Sequence, residues 1–154
     1  MPRKTASILT VLFVVATIAA TLSGQSTMTD DEKAIRDHIA RYDRGDRDNL
    51  FTADRVFWSG AYRRPTVGSE RGEESKTISV PLAARVPNSE RGKTTPVRIV
   101  VAKSGDLASE FSNGELSFDT KDGKKVVIPQ AILRTWQKDG GQWKIAAQFT
   151  RPIE

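Results

Sequence analysis

The chain is 154 residues long, has no cysteine and one histidine, and carries a formal charge of +5 from 24 basic and 19 acidic side chains. That composition excludes disulfides and thiol chemistry and leaves too few nitrogen and sulfur ligands for a zinc site. Arg41, Arg44, Arg47, Arg55, Arg63, Arg64 and Arg71 are interleaved with Asp37, Asp43, Asp46, Asp48, Asp54 and Glu70, which reads as a salt-bridged, solvated surface rather than a one-signed nucleic-acid face.

Arg3 and Lys4 precede an apolar run of 15 residues, Ile8 to Leu22, followed by the small and polar Ser23, Gly24 and Gln25. This is the pattern of a cleaved signal peptide over residues 1–24, and the run is short for a membrane span, which needs roughly 18 apolar residues or more. The expected product, 25–154, is a secreted or periplasmic domain of charge +3 with no membrane attachment after cleavage. Its length suits one domain with a hydrophobic core.

Thr29 and Glu32 form a capping box that predicts a helix to about Arg44. Ile35, Ile39 and Tyr42 fall on one stripe of it, with His38 beside them, and Gly45 ends it in the left-handed conformation. Asp46 can cap a second short helix through Leu50 and Phe51. The stretch RVFWSGAYRR (55–64) predicts two short strands around Ser59-Gly60. Residues 65–96 hold four of the seven prolines and predict an irregular lid or loop, with a polar helix over Ser69 to Lys76.

Four strands follow: Val97 to Lys103, Leu107 to Phe118 with a bulge at Asn113-Gly114, Val126 to Lys138, and Trp143 to Thr150. Glycine turns at Gly105, at Gly123 and at either Asp139-Gly140 or Gly140-Gly141 make them an antiparallel meander. In the last hairpin, a two-residue turn puts Ile132, Arg134 and Trp136 on one bulky face with Trp143, Ile145, Ala147 and Phe149. Leu133, Thr135, Gln148 and Thr150 fall on the other, smaller and more polar face. The fold class is α+β: a cone-like, cystatin-type arrangement with two or three N-terminal helices on a curved antiparallel sheet of about five or six strands.

The segments AIRDHIARYDRGDRDNLFTADRVF (34–57), GDLASEFSNGELSF (105–118) and RTWQKDGGQWKIAAQF (134–149) resemble the SnoaL-like branch of the nuclear transport factor 2-like superfamily, in particular its secreted bacterial domains of unknown function. Gly141-Gln-Trp-Lys-Ile145 matches that group's closing Gly-x-Trp-x-Ile element. The sequence departs from the pattern at 65–96, where a helix is usual, and at Gln148, near which relatives often carry histidine. The resemblance implies the cone fold and an interior cavity. It leaves activity open, because this fold hosts isomerases, dehydratases, binding domains and assembly domains.

Several residues carry candidate chemistry. Arg134, a cation between Ile132 and Trp136, must meet an internal acid or a ligand carboxylate if enclosed. Tyr42, Trp58, Tyr62, Arg134 and Trp136 are the candidate ligand-binding residues. By likeness to the superfamily's isomerases, Asp54, Glu110 or Asp119 would be a buried carboxylate base; His38 is the other candidate base. Phosphate-loop, nucleophile-elbow and calcium-loop patterns are absent from the sequence. The expected function is a small-molecule-binding domain with an apolar cavity, needing no metal or cofactor and taking a small apolar molecule. The alternatives are a cofactor-free isomerase or dehydratase, and a non-catalytic module forming a homodimer through the sheet.

Overall fold

The computed structural model describes residues 28–76 and 79–153; the expected leader lies outside them. One helix and six strands follow in the order α1 (Asp30–Asp43), β1 (Phe51–Ser59), β2 (Thr66–Val67), β3 (Arg91–Val101), β4 (Leu107–Asp119), β5 (Lys125–Asp139) and β6 (Gln142–Pro152). The strands make one curved sheet in the order β2-β1-β6-β5-β4-β3. Among the described residues no helix is long and apolar enough to cross a membrane.

The helix starts and ends as its sequence dictates. Thr29 Oγ1 accepts from the Glu32 amide at 3.1 Å, three acids occupy the positive end of the helix dipole, and Gly45 takes a left-handed φ of 83° just past the last turn. Ile35 and Ile39 are buried against Ala108, Trp136, Trp143 and Ile145 of the sheet. Polar ties fix the helix at both ends. Trp143 Nε1 donates to Asp31 at 3.0 Å, and Asp43 accepts from the Thr94 amide at 2.7 Å and from its hydroxyl at 2.8 Å. The second tie also covers the exposed edge of β3, a place where unpaired backbone would otherwise invite other strands.

Several expectations need correction. The second helix is absent: Leu50 is fully buried, its carbonyl accepts from the Ile145 amide at 2.7 Å, and Phe51 already begins β1. Burial of Leu50 against the sheet thus outweighs the capping preference of Asp46. The sheet is not wholly antiparallel, because β1 runs parallel to β6. No helix forms over 69–76, where a bridge joins Tyr62 to Glu74 and Glu70 and Glu73 pair with Arg64 and Arg63. Finally, β3 begins at Arg91, so the irregular segment is shorter than 65–96. Its end is held by Arg85, which lies 4.0 Å over the Phe118 ring and binds Glu90 at 2.6 Å.

The β5–β6 turn is Gly140-Gly141, both at positive φ (58° and 80°), and it pairs Asp139 with Gln142 and Trp136 with Ile145. Both positive φ values mark a type I′ turn, which glycine adopts without steric cost. Both indoles of this hairpin are buried under α1. The bulge expected at Asn113-Gly114 is not there; that stretch pairs continuously with β5. Gly114 is needed for space, since a Cβ would lie 2.4 Å from Ile132 Cδ1. The register instead shifts between Pro96 and Arg98 on β3, between Phe51 and Val56 on β1, and at Ala146 on β6, where Trp136 faces Ile145 but Thr135 faces Ala147.

Candidate functional site

The Ala146 bulge decides what faces the interior. A strand alternates faces at every residue, so one unpaired residue exchanges the faces of everything after it. Trp143 and Ile145 point inward before the bulge; Gln148 and Thr150 point inward after it, and Phe149 turns outward. The expected faces of β6 are therefore correct up to Ile145 and inverted beyond it. Opposite this polar pair, β5 presents Arg134 to Gln148 and Ile132 to Thr150.

Arg134 and Glu110 sit at the centre, with exposures of 1% and 0%. Arg134 Nη1 donates to Glu110 Oε1 at 2.8 Å and its Nε to Gln148 Oε1 at 2.9 Å. The same Glu110 oxygen accepts from Ser112 Oγ at 2.6 Å, and Oε2 accepts from Trp136 Nε1 at 2.9 Å. The guanidinium carbon lies 4.8 Å from the Tyr42 ring centroid, and Arg47 covers that ring at 4.6 Å. Buried ions are tolerated where donors satisfy their oxygens, and both oxygens of Glu110 are occupied. The pair closes the interior as a strut: an internal acid meets Arg134.

The apolar end of the interior is packed rather than hollow, filled by Ile35, Ile39, Trp136, Trp143 and Ile145. The open space lies at the other end, a cleft of about 70 Å³ whose walls include Tyr42, Ile132, Arg134, Gln148 and Thr150. Two donors there are unused: Arg134 Nη2 and the hydroxyl of Thr150 make no hydrogen bond to described residues, although Thr150 is 95% buried. Arg47, Arg91 and Lys93 surround the opening, with Glu90 and Glu115; Glu90 is already bound by Arg85.

The remaining candidates are scattered. Tyr42 and Arg134 meet at the cleft, and Trp136 lies behind them as a donor to Glu110. Trp58 is on the outer face of the sheet, edge-on to Phe149 at 5.4 Å. Tyr62 packs edge-on to Phe57 in the turn after β1. Asp54 and Asp119 are exposed, and neither lines the cleft. His38 sits 6.2 Å from the Trp136 ring with its Nδ1 buried and unpartnered. Burial pulls its pKa below the ordinary histidine value, Arg41 pushes the same way, and Asp37 opposes them. Among the described residues no three His, Asp or Glu side chains gather as metal ligands. Sequence reasoning missed Ser112, Gln148 and Thr150 as inward residues. The signal for Ser112 was alternation with Glu110; nothing local marks Ala146 as a bulge.

No family model matches the chain, and no curated protein matches it by sequence. Solved structures do. A nuclear transport factor 2-like protein with a cystatin-like fold from Novosphingobium aromaticivorans is 16% identical, with 80% of this chain and 82% of that one covered and a TM-score of 0.59. A type 2 hexachlorocyclohexane dehydrochlorinase is 11% identical, with 79% and 84% covered and a TM-score of 0.56. The association domain of C. elegans CaMKII is 16% identical, with 79% and 98% covered and a TM-score of 0.51. Enzymes and assembly domains thus share this architecture, and the chain has the nuclear transport factor 2-like, cystatin-like fold.

Proposed function

We propose that the protein is an exported binding domain whose cleft takes the carboxylate end of a small molecule. The observation that carries this is the pair of unused donors, Arg134 Nη2 and Thr150 Oγ1, on two residues that line one cleft with Gln130 and Gln148. A guanidinium whose other nitrogens are fixed by Glu110 and Gln148 is oriented before any ligand arrives, which lowers the ordering cost of binding. A charge-assisted hydrogen bond in a site of low dielectric is among the stronger polar contacts. Tyr42, Leu116 and Ile132 supply apolar wall, and the cleft's size admits the head of a ligand while its body lies at the mouth among Arg47, Arg91 and Lys93.

The isomerase or dehydratase alternative needs an acid with a free oxygen aimed at substrate. Glu110 has none, and Asp54 and Asp119 are away from the cleft, so the binding reading is better supported. Export rests on the leader pattern alone, and the mass of the mature protein from the culture supernatant or periplasm tests it by placing the new N-terminus near Gln25.

The binding test is an isothermal and NMR titration with benzoate and butyrate, using benzamide and butyramide as uncharged controls. The acids should bind and perturb the Arg134 and Thr150 signals, and the amides should not. Thr150→Val, which keeps shape and removes one donor, should weaken binding about tenfold, the equivalent of one hydrogen bond to a charged group. Equal binding of acid and amide, or no binding by either acid, rejects the proposal.

A further inference from the structure

The Tyr42 ring carries two guanidiniums. Arg134 Cζ lies 4.8 Å from its centroid and Arg47 Cζ 4.6 Å, both within cation–π reach, so the two carbons are less than about 10 Å apart. All three residues line the cleft. The two cations differ in what holds them. Arg134 is enclosed and fixed by Glu110 and Gln148. Arg47 is exposed, and its guanidinium makes no hydrogen bond or ion pair to a described residue. The acid before it in sequence, Asp46, is bound by Arg41 at 2.8 Å. A guanidinium over a ring uses its face and keeps its N–H edge open to an acceptor.

We propose that the ligand is a short dicarboxylate, whose inner carboxylate meets Arg134 and Thr150 and whose outer one meets Arg47. The assignment rests on the carboxylate reading of the cleft given above and names the class of ligand it takes. The charge balance of the lining favours two negative groups over one. Arg134 is already neutralised by Glu110. At the opening, Glu90 is bound by Arg85 and Glu115 stands opposite Lys93 on the β3–β4 ladder. The nearby Asp43 turns to the edge of β3, where Thr94 supplies two hydrogen bonds. Two lining guanidiniums are left without an acid, Arg47 and Arg91. Arg91 gives its Nη1 to the carbonyls of Asn88 and Glu90 at 2.7 and 2.8 Å, whereas Arg47 has no acceptor. A ligand of charge −2 balances this pair and a ligand of charge −1 does not. The planar fork of Arg47 also matches a carboxylate, which can take two of its N–H groups at once. The short span between Arg47 and Arg134 sets the tail: a chain like that of glutarate fits, and a long fatty diacid overshoots.

Calorimetric titration at pH 7 and low salt compares glutarate with its monoamide, glutaramate, and with butyrate. Glutarate should bind about tenfold tighter than glutaramate, the equivalent of a hydrogen bond to a charged group, and glutaramate should match butyrate. Added salt should shrink the glutarate advantage, because the outer pair is exposed and screened. Arg47→Gln should erase that advantage and leave butyrate binding unchanged. Arg55→Gln makes the same change of charge at an arginine that also covers a ring, Phe51 at 4.4 Å, but does not line the cleft; it should leave both affinities as they are. Butyrate bound as tightly as glutarate overturns the dicarboxylate assignment and leaves the single-carboxylate site standing. So does an Arg47→Gln variant that weakens both acids equally. If neither acid binds, the carboxylate site itself falls, and the dicarboxylate with it.

Discussion

The two faces of β4, β5 and β6 invert the usual rule at one end of the molecule. Under α1 the inner face is apolar, with Trp136, Trp143 and Ile145 against Ile35 and Ile39. Beyond the Ala146 bulge the inner face becomes polar, with Glu110, Ser112, Arg134, Gln148 and Thr150 all buried, while Phe111, Leu133 and Phe149 stand outside in water. Scattered exposed hydrophobics mean little; buried polar groups and contiguous apolar patches are the informative departures. Here both occur back to back on the same strands. Each asks for a partner: the inner network has met most of its own needs, and the outer row has met none.

The sharpest way to break this contrast is to exchange the two side chains that the bulge sorts, Gln148→Phe with Phe149→Gln. The pair drives an aromatic ring at the Arg134–Glu110 pair and removes the acceptor of Arg134 Nε. The loss combines a broken buried polar network with overpacking and should exceed about 4 kcal/mol, beyond what an ordinary substitution does. Urea denaturation followed by tryptophan fluorescence should find little or no folded protein. A cooperative transition near the wild-type midpoint would mean that the register of β6 does not set the two faces.

Arg134→Met is the next largest change. It leaves Glu110 charged and enclosed with only Ser112 and Trp136 as donors, a loss of about 3–5 kcal/mol. Adding Glu110→Gln removes the stranded charge yet keeps an acceptor for Trp136 Nε1, so the double variant should recover most of that loss. The same double variant should bind no carboxylate. Recovery of stability without recovery of binding separates the strut from the donor. Gly114→Ala follows, at about 1–3 kcal/mol, because the new methyl meets Ile132 Cδ1 at 2.4 Å; a neutral result in the same urea assay would show that Ile132 has room to move.

How much of this was legible beforehand depends on the range of the cause. The Thr29 cap, the stripe of Ile35 and Ile39, and the glycine turn of the last hairpin act over a few residues, and each emerged, the turn in one of its two open registers. The resemblance to the cone fold was carried by such local elements and held, with one α-helix in place of the two or three expected. The helix expected after Asp46 failed because Leu50 is claimed by the sheet, a contact with Ile145 nearly a hundred positions along the chain. The parallel pairing of β1 with β6 is equally non-local. The bulge failed in the other direction: Ala146-Ala147 carries no glycine or proline to announce it, and what selects it is the fit of Gln148 beside Arg134 rather than Phe149. Hence Arg134 could be singled out from sequence, and the donors around it could not.

The smallest effect tests the helix-covered end, through pH. His38 packs beside Trp136 with Nδ1 enclosed and unpartnered, and its folded pKa is lowered, chiefly by burial. A lowered histidine pKa means that the unfolded chain takes up the proton first. The stability tied to neutral His38 is therefore complete above the unfolded value of about 6.5 and declines as pH falls below it. The acids with lowered pKa values, Asp31, Asp46, Glu70 and Asp122 at about 2, act in a separate window: their contribution is complete above the unfolded carboxylate range near 4 and declines only below it. Between pH 7 and 5.5 the slope of stability should therefore belong mainly to His38. Urea midpoints of the wild type should fall across that interval, and those of His38→Gln should stay level. Parallel slopes for the two proteins would show that the ring reaches solvent on protonation and that this end of the helix is looser than its contacts with Trp136 imply.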